Sequence, residues 1–329
     1  MRILILGGTV FLSAELVRQA LLRGHEVTAL ARGTAGAPPS GARFVRADRS
    51  AGPGAYAALD GDWDAVIDVA REPEQVRGAL DVLAERTRHW TFVSSCSVYA
   101  GHDVPGADES DAVLPPLEAG QVAADFYGQA KVSCERLVAA GVGDRAHLSR
   151  PGLLAGPGDP SGRLGYWPAR FARDNGPAIA PDAPGAMVQF ADVRDYARWL
   201  LDGAERRVVG TFNAVGEPTP FTTFLGAAID AAGYSGHLLV ADAQWLADHG
   251  VGYWAGPVSL PLWLPAGMDG FSTRSAAAAE ALGFAGRSFD ETLEDVLADE
   301  RRRGLDRERP AGLGRDEERA LVEEWTRQG

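Results

Sequence analysis

RILILGGTVFLSAELVRQALLRGHEVTALAR, residues 2–32, sets the architecture of the N-terminal half of this chain. Arg2-Ile3-Leu4-Ile5-Leu6 is a short apolar run, and Gly7-Gly8-Thr9 follows at once. Phe11, Leu12, Leu16, Val17, Ala20 and Leu21 then recur at helical spacing. Gly24-His25 closes that helix, and Glu26 to Arg32 supplies a second strand, completing a βαβ unit. A helix that starts in a tight glycine turn presents free backbone amides, which suit the diphosphate of a dinucleotide.

Outward from this unit, strand and helix patterns alternate to about residue 150. They predict an α/β fold of Rossmann type, a doubly wound parallel sheet with helices on both faces and right-handed crossovers. Residues 1–150 form the dinucleotide-binding domain in this reading, with 188–214 returning to it. Within that return, Val188-Gln189-Phe190 and Gly210-Thr211-Phe212-Asn213 read as strands around a helix near Val193–Leu201. Residues 151–187 and 215–329 are expected to form mainly a smaller, interleaved substrate-binding lobe. They end in two charged amphipathic helices, Phe289 to Arg303 and Arg315 to Arg327.

The chemistry concentrates in Tyr127-Gly128-Gln129-Ala130-Lys131, where a Tyr and a Lys four apart share one face of a helix. A phenol has an ordinary pKa of about 10, and a nearby ammonium stabilises its phenolate, so such a tyrosine can act as acid or base. Thr91 to Tyr99, TFVSSCSVY, reads as a buried strand ending in hydroxyls that delivers a serine beside the phenol. Together the two segments point to carbonyl/alcohol redox chemistry.

With these motifs in order, nearly the whole chain resembles the extended short-chain dehydrogenase/reductase family, also called the NAD-dependent epimerase/dehydratase family. Beyond the glycine turn, the resemblance rests on Trp63 to Ala70, Ser94-Ser95 with Val98-Tyr99, Tyr127 to Lys131, Arg150-Pro151, Gly156-Pro157-Gly158-Asp159 and Phe190 to Asp195. It implies that Tyr127 exchanges a proton with the substrate oxygen and that Ser95 orients that oxygen. Lys131 would hold the nicotinamide ribose hydroxyls and depress the tyrosine pKa. Cofactor contacts are implied for Gly7, Gly8, Thr9, Val10, Phe11 and Leu12 in the turn, and for Val69, Ala70 and Ser94 at strand ends. Asp48 matches the position that meets the adenine amine, and Pro151-Gly152-Leu153 the one that meets the nicotinamide carboxamide. On an extended strand Ser94 is expected to point away from Ser95.

One departure from the family pattern matters. Val10 and Ser13 replace the second and third glycines of Gly-x-x-Gly-x-x-Gly and are expected to crowd the diphosphate and the helix–strand contact. Arg32 stands at the end of the second strand, where an acidic residue would favour NAD; its donors suit a 2′-phosphate, so NADP(H) is the expected cofactor, with NAD(H) possible. Dehydratases of the family carry an Asp-Glu pair directly after the catalytic hydroxyl, and Cys96-Ser97 stands there, which disfavours that reaction. Net reduction or oxidation, epimerisation with retained cofactor, and non-catalytic dinucleotide binding remain open.

Lys and Arg number 32 against 45 Asp and Glu, a formal charge of −13, which argues against nucleic acid or an anionic membrane as partner and disfavours likeness to the family's RNA-binding members. The reading is of a cytoplasmic enzyme acting on a small molecule, without a leader or membrane span. Two cysteines, Cys96 and Cys134, give no disulfide framework, and the six histidines lack ligand spacing, so no metal is expected. Arg163 and Arg274 are loose candidates for a substrate diphosphate. Tyr166, Trp167, Tyr253, Trp254 and Trp263 are candidates for a sugar or apolar face. A homodimer through two helices per subunit is possible, one of them running from near Gly120 through Leu137.

Overall fold

The apolar runs become parallel strands because helices cover both faces of the sheet they form. In the computed structural model, which describes residues 1–328, the chain divides into two units. The first comprises Met1–Leu153, Val193–Gly216 and Arg274–Gly286. Its strands are β1 (Arg2–Leu6), β2 (Glu26–Ala31), β3 (Arg43–Arg46), β4 (Ala65–Asp68), β5 (Trp90–Val93), β6 (Ala146–Pro151) and β7 (Gly210–Ala214). Its main helices are α1 (Phe11–Leu22), α2 (Pro73–Leu83), α3 (Tyr127–Val142) and α4 (Val193–Arg206).

The strand order is β7-β6-β5-β4-β1-β2-β3, every neighbour parallel. The order reverses between β1 and β4, and open α/β sheets bind ligands in the crevice beyond the carboxyl ends of such strands. Ile3 to Leu6 are buried, as a central strand covered on both faces requires. Gly24 stops α1 at a φ of +77°, its N–H donating to the Leu21 carbonyl. Pro73 opens α2 at its first turn with Glu74 beside it, a start that suits the missing N–H of proline and the helix dipole.

The second unit comprises Leu154–Asp192, Glu217–Thr273 and Arg287–Gly329. Helices Arg163–Arg173, Phe221–Ala232 and Phe289–Arg303 pack around an aromatic core in which Trp167 meets Phe171 and Phe221 at 5.9 and 5.8 Å between ring centres. Helix Phe289–Arg303 begins with a capping box of Ser288 and Glu291 and ends in three arginines.

Three boundaries differ from the sequence reading. Val188 and Phe190 do not return to the main sheet. Strand Met187–Val188 pairs with Thr219–Pro220, strand Phe190–Asp192 pairs with Leu153–Ala155, and the return to the first unit starts at Val193. Arg274–Gly286, expected in the lobe, belongs to the first unit, where helix Ala277–Glu280 packs on β7. The helix expected from near Gly120 starts only at Tyr127, because residues 120–126 form turns with no side-chain cap before it. No helix among the described residues is long and apolar enough to cross a membrane. Nor do they hold a group of three or more His, Cys, Asp or Glu residues able to bind a metal.

One core residue gives the fold a pH dependence. His147, in β6, is fully buried against Trp199 and Phe212, with ring centres at 4.9 and 5.3 Å and, among the described residues, no hydrogen-bond partner for either nitrogen. Burial pushes its pKa down to about 3, with the neighbouring His89 acting in the same direction. The unfolded chain therefore binds the proton first. The stabilising contribution is complete above the ordinary histidine pKa and is lost as pH falls toward 3, at up to about 1.4 kcal/mol per pH unit. Urea unfolding between pH 7 and pH 4 should show a shallower loss of stability in His147→Leu than in the parent; equal slopes would refute the neutral buried imidazole.

Candidate active site

The glycine turn is built for close approach. Gly7 and Gly8 have φ of +136° and +108°, and a Cβ would lie 2.8 Å from Val69 Cγ2 at Gly7 and 2.7 Å from Ala29 Cβ at Gly8. Ser13, in the third glycine's place, is buried in the helix–strand contact, and its hydroxyl donates to the Val10 carbonyl at 2.9 Å. The expected crowding at this position is thus absent: a small side chain fits beside Gly7, and its oxygen ties down the loop. Val10 is 46% exposed and lines the groove above the turn.

That groove, about 840 Å³, lies beyond the carboxyl ends of β1, β2 and β4. Gly7, Thr9, Val10, Arg32, Asp48, Val69 and Ala70 all line it. Gly8, Phe11 and Leu12 do not; Gly8 packs beneath on Ala29 and Val17, and Leu12 is buried. Arg32 is exposed on the rim. Asp48 accepts the Ser50 N–H at 2.9 Å, and that bond, helped by the charge of Arg32, holds its carboxyl below the usual range. Asp48 therefore caps the following turn and faces the groove at once. The glycine cradle, the open end of α1 and the rim arginine fit a dinucleotide whose diphosphate rests on the turn.

At the groove, which Arg49 helps to line, lies a pair that the sequence reading misses. Asp68, at the end of β4, accepts both nitrogens of the Arg49 fork at 2.7 and 2.8 Å, and both residues are buried. A charged residue closing the wholly apolar run Ala65-Val66-Ile67 is its one signal.

Ser95, Tyr127 and Lys131 come from β5 and α3. Ser95 caps the short turn Cys96–Val98, its Oγ accepting the Ser97 N–H at 3.1 Å and lying 3.1 Å from the Ser97 hydroxyl. Ser94 is buried, its N–H donating to the Ser149 carbonyl, and its own hydroxyl has no protein partner among the described residues. The first turn of α3 packs directly on the Cys96–Val98 turn, for a Cβ at Gly128 would collide with the Ser97 carbonyl oxygen and Leu114. Glycine at 128 is what lets Tyr127, the first residue of the helix, stand beside the serine turn.

Lys131 is 2% exposed. Its ammonium donates to the Ala70 carbonyl at 2.7 Å and the Val93 carbonyl at 2.6 Å, and lies 5.9 Å from the centre of the Tyr127 ring. Burial pushes its pKa down to about 8. It is also the only lysine in the chain; the other 31 of the 32 basic residues are arginines. Pro151 ends β6 in register with Ala214, and Gly152 lies close to Val215, so this segment and Ser94 sit at strand ends outside the groove lining.

Several side chains, loose candidates among them, are engaged in packing and polar contacts within their own unit. The Arg274 guanidinium lies 3.8 Å over the Tyr99 ring and pairs with Asp111, which buries it within the first unit. His102 contacts that same guanidinium at 3.2 Å. Burial pushes the Cys96 thiol up to about 12, and its sulfur donates to the Arg150 carbonyl. In the second unit Tyr166, Trp167 and Trp263 are buried core, whereas Tyr253 and Trp254 are half-buried and Arg163 lies over the Trp254 ring at 4.9 Å.

The NAD dependent epimerase/dehydratase family matches residues 3–213. No curated protein sequence matches the chain. Among solved structures, a Burkholderia cenocepacia J2315 protein provisionally described as an epimerase superposes with a TM-score of 0.70 at 20% identity, over 92% of this chain and 98% of that one. UDP-N-acetylglucosamine 4-epimerase from Bacillus cereus gives 0.66 at 18% identity, over 91% and 98%. The Thermus thermophilus UDP-glucose 4-epimerase, in complex with NAD, gives 0.66 at 18%, over 92% and 99%. These likenesses show the shared fold, and the family match spans well over half of the sequence. The chain belongs to the NAD-dependent epimerase/dehydratase family and is an oxidoreductase or epimerase of the short-chain dehydrogenase/reductase type.

Proposed function

We propose that the chain interconverts a carbonyl and an alcohol on a small sugar-like or natural-product molecule, with NADP(H) preferred over NAD(H). The observation that carries this reading is the lone lysine, buried under the Tyr127 ring between two carbonyls. Arginine serves as the cation everywhere else, yet a guanidinium is a wide planar fork that cannot lose its proton near neutrality, whereas an ammonium is compact and titrates readily when buried. Bound NADP(H) would rest on the Gly7–Thr9 turn and supply or accept the hydride. Tyr127 donates its phenolic proton to the substrate oxygen in reduction and takes it back in oxidation. Ser95 holds that oxygen with its hydroxyl, and the Lys131 ammonium eases proton loss from the phenol. The proposed setting is the cytoplasm. The test is a screen of small carbonyl compounds for consumption of NADPH.

Arg32 supports the NADP(H) preference, since it stands exposed on the groove rim and β2 ends without an acidic side chain. Arg32→Asp should raise the KM for NADP⁺ about tenfold or more while that for NAD⁺ changes by less than about threefold, the loss of one charge-assisted contact. Equal effects on both cofactors would sink the preference.

Epimerisation is the second reading, favoured by the UDP-sugar 4-epimerases among the structural neighbours. It predicts conversion of a nucleotide sugar without added cofactor, visible by NMR of the product. A homodimer is also proposed, through α2 and α3. A groove of about 600 Å³ runs along them with Pro73, Leu117, Val122 and Leu137 in its lining. Val122 is 59% exposed. Light scattering should give twice the chain mass; the mass of one chain would reject it.

A further inference from the structure

The Arg49–Asp68 pair has a cost that stability alone does not justify. Taking two charges out of water cancels most of their attraction, and well-packed apolar residues often do as well. What the pair does supply is a fixed backbone. Asp68 Oδ1 accepts the Ala70 N–H at 2.9 Å in addition to the Arg49 fork, and Arg49 is anchored in turn by the Tyr56 hydroxyl and the Gln75 carbonyl, each at 2.9 Å. Ala70 is thereby held at both ends: its N–H by Asp68 and its carbonyl by the Lys131 ammonium.

We propose that Arg49 and Asp68 are positioning residues for Lys131: the buried pair fixes Ala70, and through the Ala70 carbonyl it sets the place and the proton affinity of the ammonium beneath Tyr127. The inference rests on the reading of Lys131 as part of the catalytic group, but it concerns residues at least one peptide removed from that group. The titratable and charged groups facing Lys131 are Cys134 and Glu135 on α3, Asp68 at the end of β4 and Arg71 just beyond it, with Tyr127 one turn earlier on α3. Burial is the largest influence and lowers the lysine; Cys134, Asp68 and Glu135 oppose it, and Arg71 adds to it. Of these, Asp68 alone also holds the residue whose carbonyl accepts from Lys131, through that residue's N–H.

A single lysine makes the test direct, because the full-length protein grown with ¹³C,¹⁵N-lysine gives one side-chain signal. In the parent, Lys131 ¹³Cε should titrate near 8. The Ala70 carbonyl and Asp68 carboxyl carbons, followed in uniformly labelled protein, should show an inflection at the same pH. Asp68→Asn should lower the lysine midpoint by about one pH unit, and Arg49→Lys, which keeps a cation on Asp68 and whose added lysine signal is told apart by comparison with the parent spectrum, should leave the Lys131 midpoint within about 0.3. Two results overturn the inference: no inflection of Ala70 and Asp68 at the lysine midpoint in the parent, or an unchanged midpoint in folded Asp68→Asn. If that variant does not fold, the parent titration decides by itself. The catalytic reading fails separately, if the lysine midpoint moves in Asp68→Asn and the pH profile of kcat/KM stays where it was.

Discussion

Tyr127→Phe is expected to lower kcat on every accepted substrate by about 10²–10⁴-fold, the usual worth of a positioned proton donor or acceptor. Affinity for NADP(H) should change by less than about twofold, because the groove that fits the dinucleotide is lined by Gly7, Val10, Arg32 and Val69, and the phenol is not among its lining residues. The ring is kept in phenylalanine, so its place 5.9 Å from the Lys131 ammonium is also kept, and only the hydroxyl is lost. Turnover and cofactor binding measured on the same preparation separate the two roles. If Tyr127→Phe turns over as fast as the parent, the phenol is not the acid or base, and another group must move the proton.

The parts of this site that are legible in the sequence are those held by local rules. The β1 run, its glycine turn and α1 follow from period and turn chemistry within thirty residues, and β1, α1 and β2 fall where that pattern puts them. Helix Phe289–Arg303 is legible to the residue because Ser288 and Glu291 form a capping box and arginines fill the last turn. The start of α3 is obscured because Val122, Ala123, Ala124 and Phe126 continue an apolar pattern through a segment that forms turns. Val188-Gln189-Phe190 reads correctly as extended but with the wrong partner, since a short apolar run carries no record of which strand it pairs with. Arg49 and Asp68 are 19 residues apart in sequence and meet only in the folded chain. Arg274 is by position only a loose candidate for a substrate diphosphate, and it lies against Tyr99 inside the first unit. The singular lysine is available to simple counting, and it marks the site more sharply than the Tyr-x-x-x-Lys spacing.

Glu135→Ala is expected to destabilise the fold by about 3–5 kcal/mol, the cost of leaving a buried charge without its partner. Arg150 forks onto Glu135 at 2.9 and 2.7 Å, and the two are 7% and 6% exposed. The third guanidinium nitrogen donates to the Tyr99 hydroxyl at 3.1 Å, which donates in turn to Asn213 Oδ1 at 2.6 Å. One network therefore links α3, β6, β7 and the turn that carries Ser95. Urea unfolding of the single variant, set beside Glu135→Leu/Arg150→Met, separates the worth of the pair from the penalty of breaking it. The double variant should lie within about 1–2 kcal/mol of the parent, because apolar replacements of a buried pair are often neutral or stabilising. A loss of less than about 1 kcal/mol in Glu135→Ala would mean that the fork does not hold in solution. Glu135 is one turn beyond Lys131 on the same helix, so the pair pins α3 against the sheet at the level of its functional face. A double variant that stays folded yet turns over more slowly would show that these charges are kept for the placement of Tyr127 and Lys131, and that stability is the lesser part of what they do.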